Sequence, residues 1–156
     1  MNNIERDRAR EHNRRAWNRL VEKTNRFTRP AVDEVMVDPL ATVDGIGWLG
    51  GDVRGLKLLC LAAGGGKHGV IYAEAGARVT VVDLSSAMLE LDRQVAAERG
   101  PEMRTVETSM DDLGMFDEGD FDVVIHPVST CYLPSIMPVY QAVARLLRAG
   151  GLYVSQ

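Results

Sequence analysis

Short apolar runs alternate with helical stretches over most of the chain. The pattern is clearest in LLCLAAGGGKHGVIYAEAGARVTVVD, residues 58–83, where an apolar run, a glycine cluster, a helical stretch and a β-branched run follow one another. A continuous apolar run of this length is typical of a parallel strand that is buried on both faces. The segment therefore predicts a strand, a glycine loop, a helix and a second strand, which together form a βαβ unit.

The same alternation continues to the end of the sequence. Ser85 is the predicted N-cap of a helix that ends at Gly100, which is followed by a proline. Further strands are predicted at residues 103–107 and 121–126 and from Leu152 onward, and a further helix at residues 134–147. Strands that alternate with helices indicate an α/β protein with a doubly wound, mainly parallel sheet in three layers.

The first 47 residues follow a different pattern. An apolar stripe at helical spacing predicts one helix over residues 4–27, which Pro30 separates from the chain that follows. The stripe consists of Trp17, Leu20, Val21, Thr24 and Phe27. Irregular chain follows, with Trp48 and Leu49 as expected packing residues. We therefore divide the chain into an N-terminal helical cap and linker, residues 1–47, and an α/β core, residues 48–156.

Composition and charge narrow the function classes. The chain has 156 residues, 18 Lys and Arg against 22 Asp and Glu, and a net charge of -4, without the lysine-rich block that nucleic-acid binding favours. No apolar run approaches the roughly 20 residues that span a bilayer, and no signal peptide precedes the core, so we expect a cytoplasmic protein. The two cysteines form no disulfide framework, and the three histidines have no metal-ligand spacing, so no metal is expected.

The glycine loop leaves more than one ligand class open. Residues 64–69, GGGKHG, satisfy the dinucleotide pattern G-x-G-x-x-G, and Asp83 follows at the distance where an acid holds ribose hydroxyls. A nicotinamide-dependent oxidoreductase is therefore one hypothesis. A lone match to this pattern is weak evidence, and segments further along the chain decide between this and other cofactors.

Five segments resemble, in the same order, the motifs of class I S-adenosylmethionine-dependent methyltransferases that act on small molecules. They are LCLAAGGG, VTVVDLSSAMLELDRQVA, TSMDDL, FDVVIHPVS and VARLLRAGGLYVS, and the resemblance covers roughly residues 58–155. It implies a Rossmann-like fold with strand order 3-2-1-4-5. The chain departs from the family at Cys60, where an acid is usual, and at Ala62, where the first glycine is usual.

The resemblance also implies which residues bind S-adenosylmethionine. Asp83 is expected on the ribose hydroxyls. The other expected contacts are Ala62, Ala63, Gly64 and Gly66 around the methionine part, Leu84 and Met88 at the adenine, Ser109, Met110 and Asp111 in the adenine loop, and His126, Pro127 and Val128 beside the sulfonium. Arg14 is a weaker candidate for the cofactor carboxylate, from a helix whose Trp17 is expected to face the cleft.

The implied reaction is in-line transfer of a methyl group to a small molecule. A sulfonium needs little activation, so the protein mainly aligns donor and acceptor and excludes water. His126 is the candidate general base if the acceptor must lose a proton; the alternative is that it shapes the pocket by hydrogen bonding. Methyltransferases that act on nucleic-acid bases have a different motif after the fourth strand, which disfavours nucleic acid. A cofactor-binding module without activity is the remaining hypothesis.

The last strand raises a separate expectation. The family normally continues with antiparallel strands that cover the edge of strand five, and these are missing before Gln156. An unpaired strand edge without Pro or Lys is a template for another chain. We expect either that the sequence is part of a longer protein or that two copies form a homodimer through this edge.

Overall fold

The computed structural model describes residues 3–155, and its elements alternate as the sequence pattern predicts. The strands are β1 (Lys57–Leu61), β2 (Arg78–Asp83), β3 (Met103–Glu107), β4 (Phe121–His126) and β5 (Leu147–Ser155). The helices are α1 (Asn3–Glu22), α2 (Pro39–Val43), α3 (His68–Glu74), α4 (Ser86–Arg99) and α5 (Met137–Leu146), with short 3₁₀ turns at Arg26–Thr28, Asp33–Met36 and Thr130–Tyr132.

All strand pairs in the sheet are parallel, and the strand order is β3-β2-β1-β4-β5, which confirms the predicted fold class. Leu59 in β1 is level with Thr80 in β2 and with Val124 in β4. The chain order reverses between β1 and β4. In open parallel sheets, ligands bind outside the carboxyl ends of the strands at this switch point, so the fold places the glycine loop and the end of β4 at one site.

Both faces of the sheet are covered, which gives the three predicted layers. Alternate residues of β1 supply the two cores: Leu58 and Cys60 lie in one, and Leu59 and Leu61 in the other. Helices α3 and α4 cover the first face, together with side chains of α2. Helix α5 covers the second face together with the loop after β3, which contributes Phe116. Burial on both faces explains why β1 has no polar alternation.

Local signals at the ends of α4 are confirmed. The Ser85 hydroxyl accepts a hydrogen bond from the Met88 amide at 3.1 Å, as an N-cap does. Gly100 ends the helix with φ of 98°, in the left-handed region that glycine adopts without steric cost. The Ser85 cap determines where the loop after β2 meets the helix, and three of the cofactor residues that the resemblance implies, Asp83, Leu84 and Met88, lie at this junction.

The N-terminal segment and β5 differ from the predictions. Helix α1 ends at Glu22, because Thr24 has φ of 49° and turns the chain, so Phe27 is 57% exposed instead of continuing the stripe. Trp48 is 56% exposed, so the expectation that it packs was wrong, whereas Leu49 does pack against the core. Strand β5 begins before the double glycine, with an irregularity opposite residues 121–123 of β4.

Candidate functional site

The glycine loop leaves β1 through a strained residue. Ala62 has φ of 50°, in the left-handed region that disfavours side chains, and this is the position where the family usually has its first glycine. Gly64 has no space for a side chain: a Cβ there would lie 2.9 Å from Cβ of Met88 and 3.0 Å from a carboxylate oxygen of Asp83. The loop backbone therefore lies directly against the end of β2 and the start of α4.

Asp83 orients the loop from the end of β2. Its Oδ2 accepts a hydrogen bond from the Gly64 amide at 2.9 Å, and its Oδ1 accepts from the Ser85 amide at 2.8 Å. Burial raises the pKa of Asp83, and these amides act in the opposite direction because they favour the ionised form. The predicted ribose ligand thus also supports the backbone of the glycine loop.

Asp92 is a site residue that the sequence analysis missed. Its side chain is fully buried, and its two carboxylate oxygens accept from the Gly65 and Gly66 amides, each at 2.9 Å. Burial raises its pKa to about 7, and the two amides oppose that shift. The available signal was position: Asp92 lies between Met88 and Val95 on the buried face of α4, where a charged residue needs a partner.

The predicted adenine loop is already in contact with the N-terminal helix. Oδ1 of Asp111 accepts from Nε and Nη2 of Arg10 at 3.0 and 2.7 Å, and the Ser109 hydroxyl also donates to it. The Asp111 side chain is 2% exposed. The Met110 side chain is buried in the core that α5 covers. No sequence signal predicted Arg10 as the partner of Asp111.

Helix α1 also contacts the residues that follow β2 and β4. Asn18 accepts from the Ser85 hydroxyl at 2.6 Å, and Asn13 donates to the backbone carbonyl of Tyr132 at 2.7 Å. The ring of Trp17 meets that of Tyr132 edge to face at 5.9 Å between centroids. Together with the contact to Asp111, these bonds lay α1 across the carboxyl ends of β2, β3 and β4. Its Arg14 pairs with Glu11 of the same helix.

His126 is the last residue of β4 and is buried. Its side chain is fully buried, Nδ1 lies 2.8 Å from the hydroxyl of Tyr153, and Nε2 has no hydrogen-bond partner within residues 3–155. Burial lowers the pKa of His126 to about 4, so the imidazole is neutral at pH 7. Val128, two residues further, has φ of 31° and is 70% exposed. Strained backbone of this kind clusters at functional sites.

A cavity of about 470 Å³ lies beside the end of β4. The linker at residues 30–43 forms one side, and the start of α3 and the ends of β4 and β5 form the others. The Ala31 amide donates to the Gly66 carbonyl at 2.8 Å, which ties the linker to the glycine loop. Of the predicted site residues, His126 and Pro127 line this cavity. A more open hollow of about 860 Å³ lies at the opposite, amino edge of the sheet, away from the loop.

Two classes of feature do not occur in the described part of the chain. Within residues 3–155, no helix is long and apolar enough to cross a membrane. The same residues contain no group of three or more His, Cys, Asp or Glu side chains placed to hold a metal ion.

The strand order, the glycine loop after β1 and the acid at the end of β2 define a Rossmann-like cofactor-binding domain. Residues 59–155 match the family model of the methyltransferase domain, and the chain belongs to this family, which confirms the resemblance. It is 37% identical over 155 residues to the uncharacterized methyltransferase YbaJ of Bacillus subtilis (strain 168), a match that covers 92% of this chain and 60% of that protein.

Two solved structures are similar to the chain as well. An S-adenosylmethionine-dependent methyltransferase from Mesorhizobium loti is 27% identical with a TM-score of 0.60, over 67% of this chain and 47% of that one. Geranyl diphosphate methyltransferase, solved in complex with GPP and sinefungin, is 28% identical with a TM-score of 0.59, over 65% of this chain and 38% of that one. The chain thus spans less than two thirds of each of these proteins.

Proposed function

We propose that the protein binds S-adenosylmethionine and transfers its methyl group to a small molecule. The observation that carries this proposal is the bonding of the glycine loop. A dinucleotide fold binds pyrophosphate through free loop amides, whereas here the Gly65 and Gly66 amides donate to buried Asp92. A carboxylate at this position competes for the phosphate donors and repels phosphate. S-adenosylmethionine has no phosphate, so the loop suits it better than NAD.

We assign several of the predicted site residues a role in this function. Asp83 keeps acceptor capacity for ribose hydroxyls beyond its two loop amides, because an ionised carboxylate accepts about four hydrogen bonds. Ala62, Ala63, Gly64 and Gly66 form the loop that would face the methionine part, and Leu84 and Met88 would contact the adenine. In the adenine loop, Asp111 would accept from the exocyclic amine only if its second oxygen remains free of Arg10 and Ser109.

Bound S-adenosylmethionine would supply an electrophilic methyl group on a sulfonium. The chain then has to position the acceptor, and helix α1 would exclude water from the carboxyl edge that it crosses. We assign His126 to pocket shape, with the general-base role as the weaker alternative. A buried imidazole with a pKa of about 4 accepts a proton poorly at neutral pH, and one of its nitrogens is already paired with Tyr153.

Two observations favour a small molecule as the acceptor. The similar geranyl diphosphate methyltransferase was solved with its small substrate GPP, and the cavity beside β4 has the size of a small-molecule site. The chain is net acidic, which disfavours nucleic acid.

Calorimetry with four ligands tests the cofactor. S-adenosylhomocysteine and S-adenosylmethionine should bind, and NAD and NADP should not; a preference for either nicotinamide cofactor contradicts the proposal. Transfer of a labelled methyl group from S-adenosylmethionine to a pool of metabolites then separates an enzyme from a binding module without activity. Cofactor binding without transfer to any pool would support the binding module.

A further inference from the structure

The cavity beside β4 differs in charge from the rest of the chain. Asp and Glu outnumber Lys and Arg by 22 to 18 in the sequence, yet within residues 3–155 no acidic residue lines this cavity. Lys67 is its only lining residue with a fixed positive charge. No Asp or Glu of the described chain forms an ion pair with Lys67, whereas Lys57 at the other edge of the sheet pairs with Asp120. The lining of the cavity therefore carries one fixed positive charge and no acidic side chain.

The rest of the lining is mostly apolar. Val35 comes from the linker, Ile71 from α3, Ile125 from β4 and Val154 from β5, so every side of the cavity presents aliphatic carbon. An aliphatic wall favours the hydrocarbon part of a ligand, by roughly 25 cal/mol for each Å² of apolar surface buried. A volume of about 470 Å³ lies within the range of small-molecule pockets.

Two histidines belong to the polar part of the lining, which also includes Thr42 and Tyr72. Burial and the neighbouring charge of Lys67 lower the pKa of His68, and burial lowers that of His126, so both are neutral at pH 7 and act as hydrogen-bonding groups. His126 has a buried Nε2 without a partner in the described chain, which is costly unless a ligand or water meets it. A ligand is thus offered one cation, neutral polar groups and an apolar wall.

We infer that this cavity is the subsite for the methyl acceptor, and that the acceptor is a small apolar molecule with one carboxylate, which pairs with Lys67. The inference rests on the proposed function, because it assumes that the donor lies on the glycine loop. Lys67 directly follows that loop, and His126 and Pro127 are the residues expected beside the sulfonium. An apolar body in the cavity would therefore lie next to the reacting methyl group.

The first experiment uses octanoate as a probe and octanol as its neutral match. Both are titrated by calorimetry into the 156-residue chain saturated with S-adenosylhomocysteine. The wild type should bind octanoate more tightly than octanol. Lys67→Gln should lower the affinity for octanoate by about tenfold, because a charge-assisted bond is lost. The affinity for octanol should stay unchanged. Lys67→Arg should keep the preference for octanoate over octanol. Lys57→Gln removes a positive charge at the opposite edge of the sheet and should change the affinity for neither ligand.

A second variant tests the location of the probe independently of the charge. Val35 is a half-buried lining residue on the linker, so Val35→Trp fills the cavity without entering the core of the sheet. Octanoate and octanol should both lose binding in this variant, whereas S-adenosylhomocysteine should keep its affinity. Unchanged octanoate binding to Val35→Trp, or to Lys67→Gln, would overturn the inference. Absence of octanoate binding to the wild type would overturn it as well.

The carboxylate that pairs with Lys67 could instead belong to the methionine part of the cofactor, and one comparison separates the two sources. 5′-Methylthioadenosine lacks the amino-acid part of the cofactor. If Lys67→Gln weakens the binding of S-adenosylhomocysteine but not that of 5′-methylthioadenosine, Lys67 binds the cofactor and its assignment to the acceptor is wrong. If the wild type binds no S-adenosylhomocysteine at all, the proposed function fails. Octanoate titrated without cofactor then still decides whether the cavity takes an apolar carboxylate.

Discussion

On one side of the switch point, the ends of β2 and β3 and the buried face of α4 present three carboxylates, Asp83, Asp92 and Asp111. On the other side, the end of β4 and the adjoining cavity present two neutral histidines and a lysine, without an acid among the lining residues described. Backbone amides, a serine hydroxyl or an arginine satisfy the three acids. His126 has one internal partner, the Tyr153 hydroxyl, but within residues 3–155 its Nε2 has no hydrogen-bond partner and Lys67 has no ion-pair partner.

This difference in internal hydrogen bonding indicates that the two sides of the switch point have different roles. The carboxylates determine backbone geometry, since two of them hold consecutive amides of the glycine loop and the third joins the loop after β3 to α1. On the histidine side, Nε2 of His126 has no hydrogen-bond partner and Lys67 no ion-pair partner within residues 3–155, so we expect these groups to interact with a ligand. The two sides should also affect the pH dependence of stability in opposite directions. Burial raises the pKa of an acid and lowers the pKa of a histidine, because in both cases it disfavours the charged form.

The largest effect is expected from Asp92→Ala. The change leaves the buried Gly66 amide without an acceptor, which costs about 1–3 kcal/mol, and it leaves the Gly65 amide with the Met88 carbonyl as its remaining acceptor at 3.0 Å. We expect the free energy of unfolding to fall by about 1–3 kcal/mol and affinity for S-adenosylhomocysteine to be lost. Denaturant unfolding and calorimetry measure the two effects. Asp112→Ala, at an exposed acid, is the control, and equal stability of both variants would show that Asp92 does not hold the loop.

The second-largest effect is expected in the pH dependence of the free energy of unfolding. Asp92 has a folded pKa of about 7 against an ordinary 3.8, so the folded state binds the proton more tightly and stability falls as pH rises through this window. His126 has a folded pKa of about 4 against 6.5, so stability rises as pH rises between those values. Between about pH 4 and 6.5 the two contributions oppose each other in the wild type.

Removing either group should reveal the other. Asp92→Asn should make the free energy of unfolding rise more steeply with pH between about 4 and 6.5, and His126→Gln should make it fall more steeply, with a limiting slope of about 1.4 kcal/mol per pH unit for each group. Urea unfolding at several pH values measures both slopes. The same change of slope in the two variants would contradict the opposition between the two sides.

A smaller effect is expected from Asp83→Ala. A carboxylate that accepts ribose hydroxyls makes charge-assisted bonds worth about 1.5–3 kcal/mol, so affinity for S-adenosylhomocysteine should fall at least about tenfold. Because Asp83 also accepts from the Gly64 amide, circular dichroism must show that the variant is folded before the affinities are compared. An unchanged dissociation constant would remove Asp83 from the cofactor site.

The smallest effect is expected from Ala62→Gly. The left-handed conformation costs a residue with a side chain about 1–2 kcal/mol, and the greater freedom of glycine in the unfolded chain offsets about 0.5–1 kcal/mol of that gain. The variant should therefore be more stable by less than about 1 kcal/mol, as thermal unfolding would show. Ala63→Gly is the control, since Ala63 is buried and is not among the residues with positive φ. A loss of stability in Ala62→Gly would indicate that the Ala62 methyl group contributes packing.

Most of the sheet could be read from the sequence because its signals are local. The apolar runs of β1 and β2, the cap at Ser85 and the glycine after α4 each depend on a few neighbouring residues, and all were predicted within a residue or two. The failures have a common cause. Thr24 was placed in the first helix from periodicity, and Trp48 was expected to pack because of its side-chain type. The turn at Thr24 and the exposure of Trp48 depend instead on how distant parts of the chain pack.

The sequence by itself determined the α/β class, the family and the position of Asp83 at the end of β2, since periodicity, caps and ordered motifs are properties of short segments. Only the tertiary structure decided that Asp92 holds the loop, that Arg10 meets Asp111 and that Lys67 faces a cavity without acids. Arg10 and Asp111 are 101 positions apart, and Asp92 is 26 from Gly66. A carboxylate chooses its partner by proximity and by the cost of burial, and both exist only after the sheet has brought distant segments to one edge.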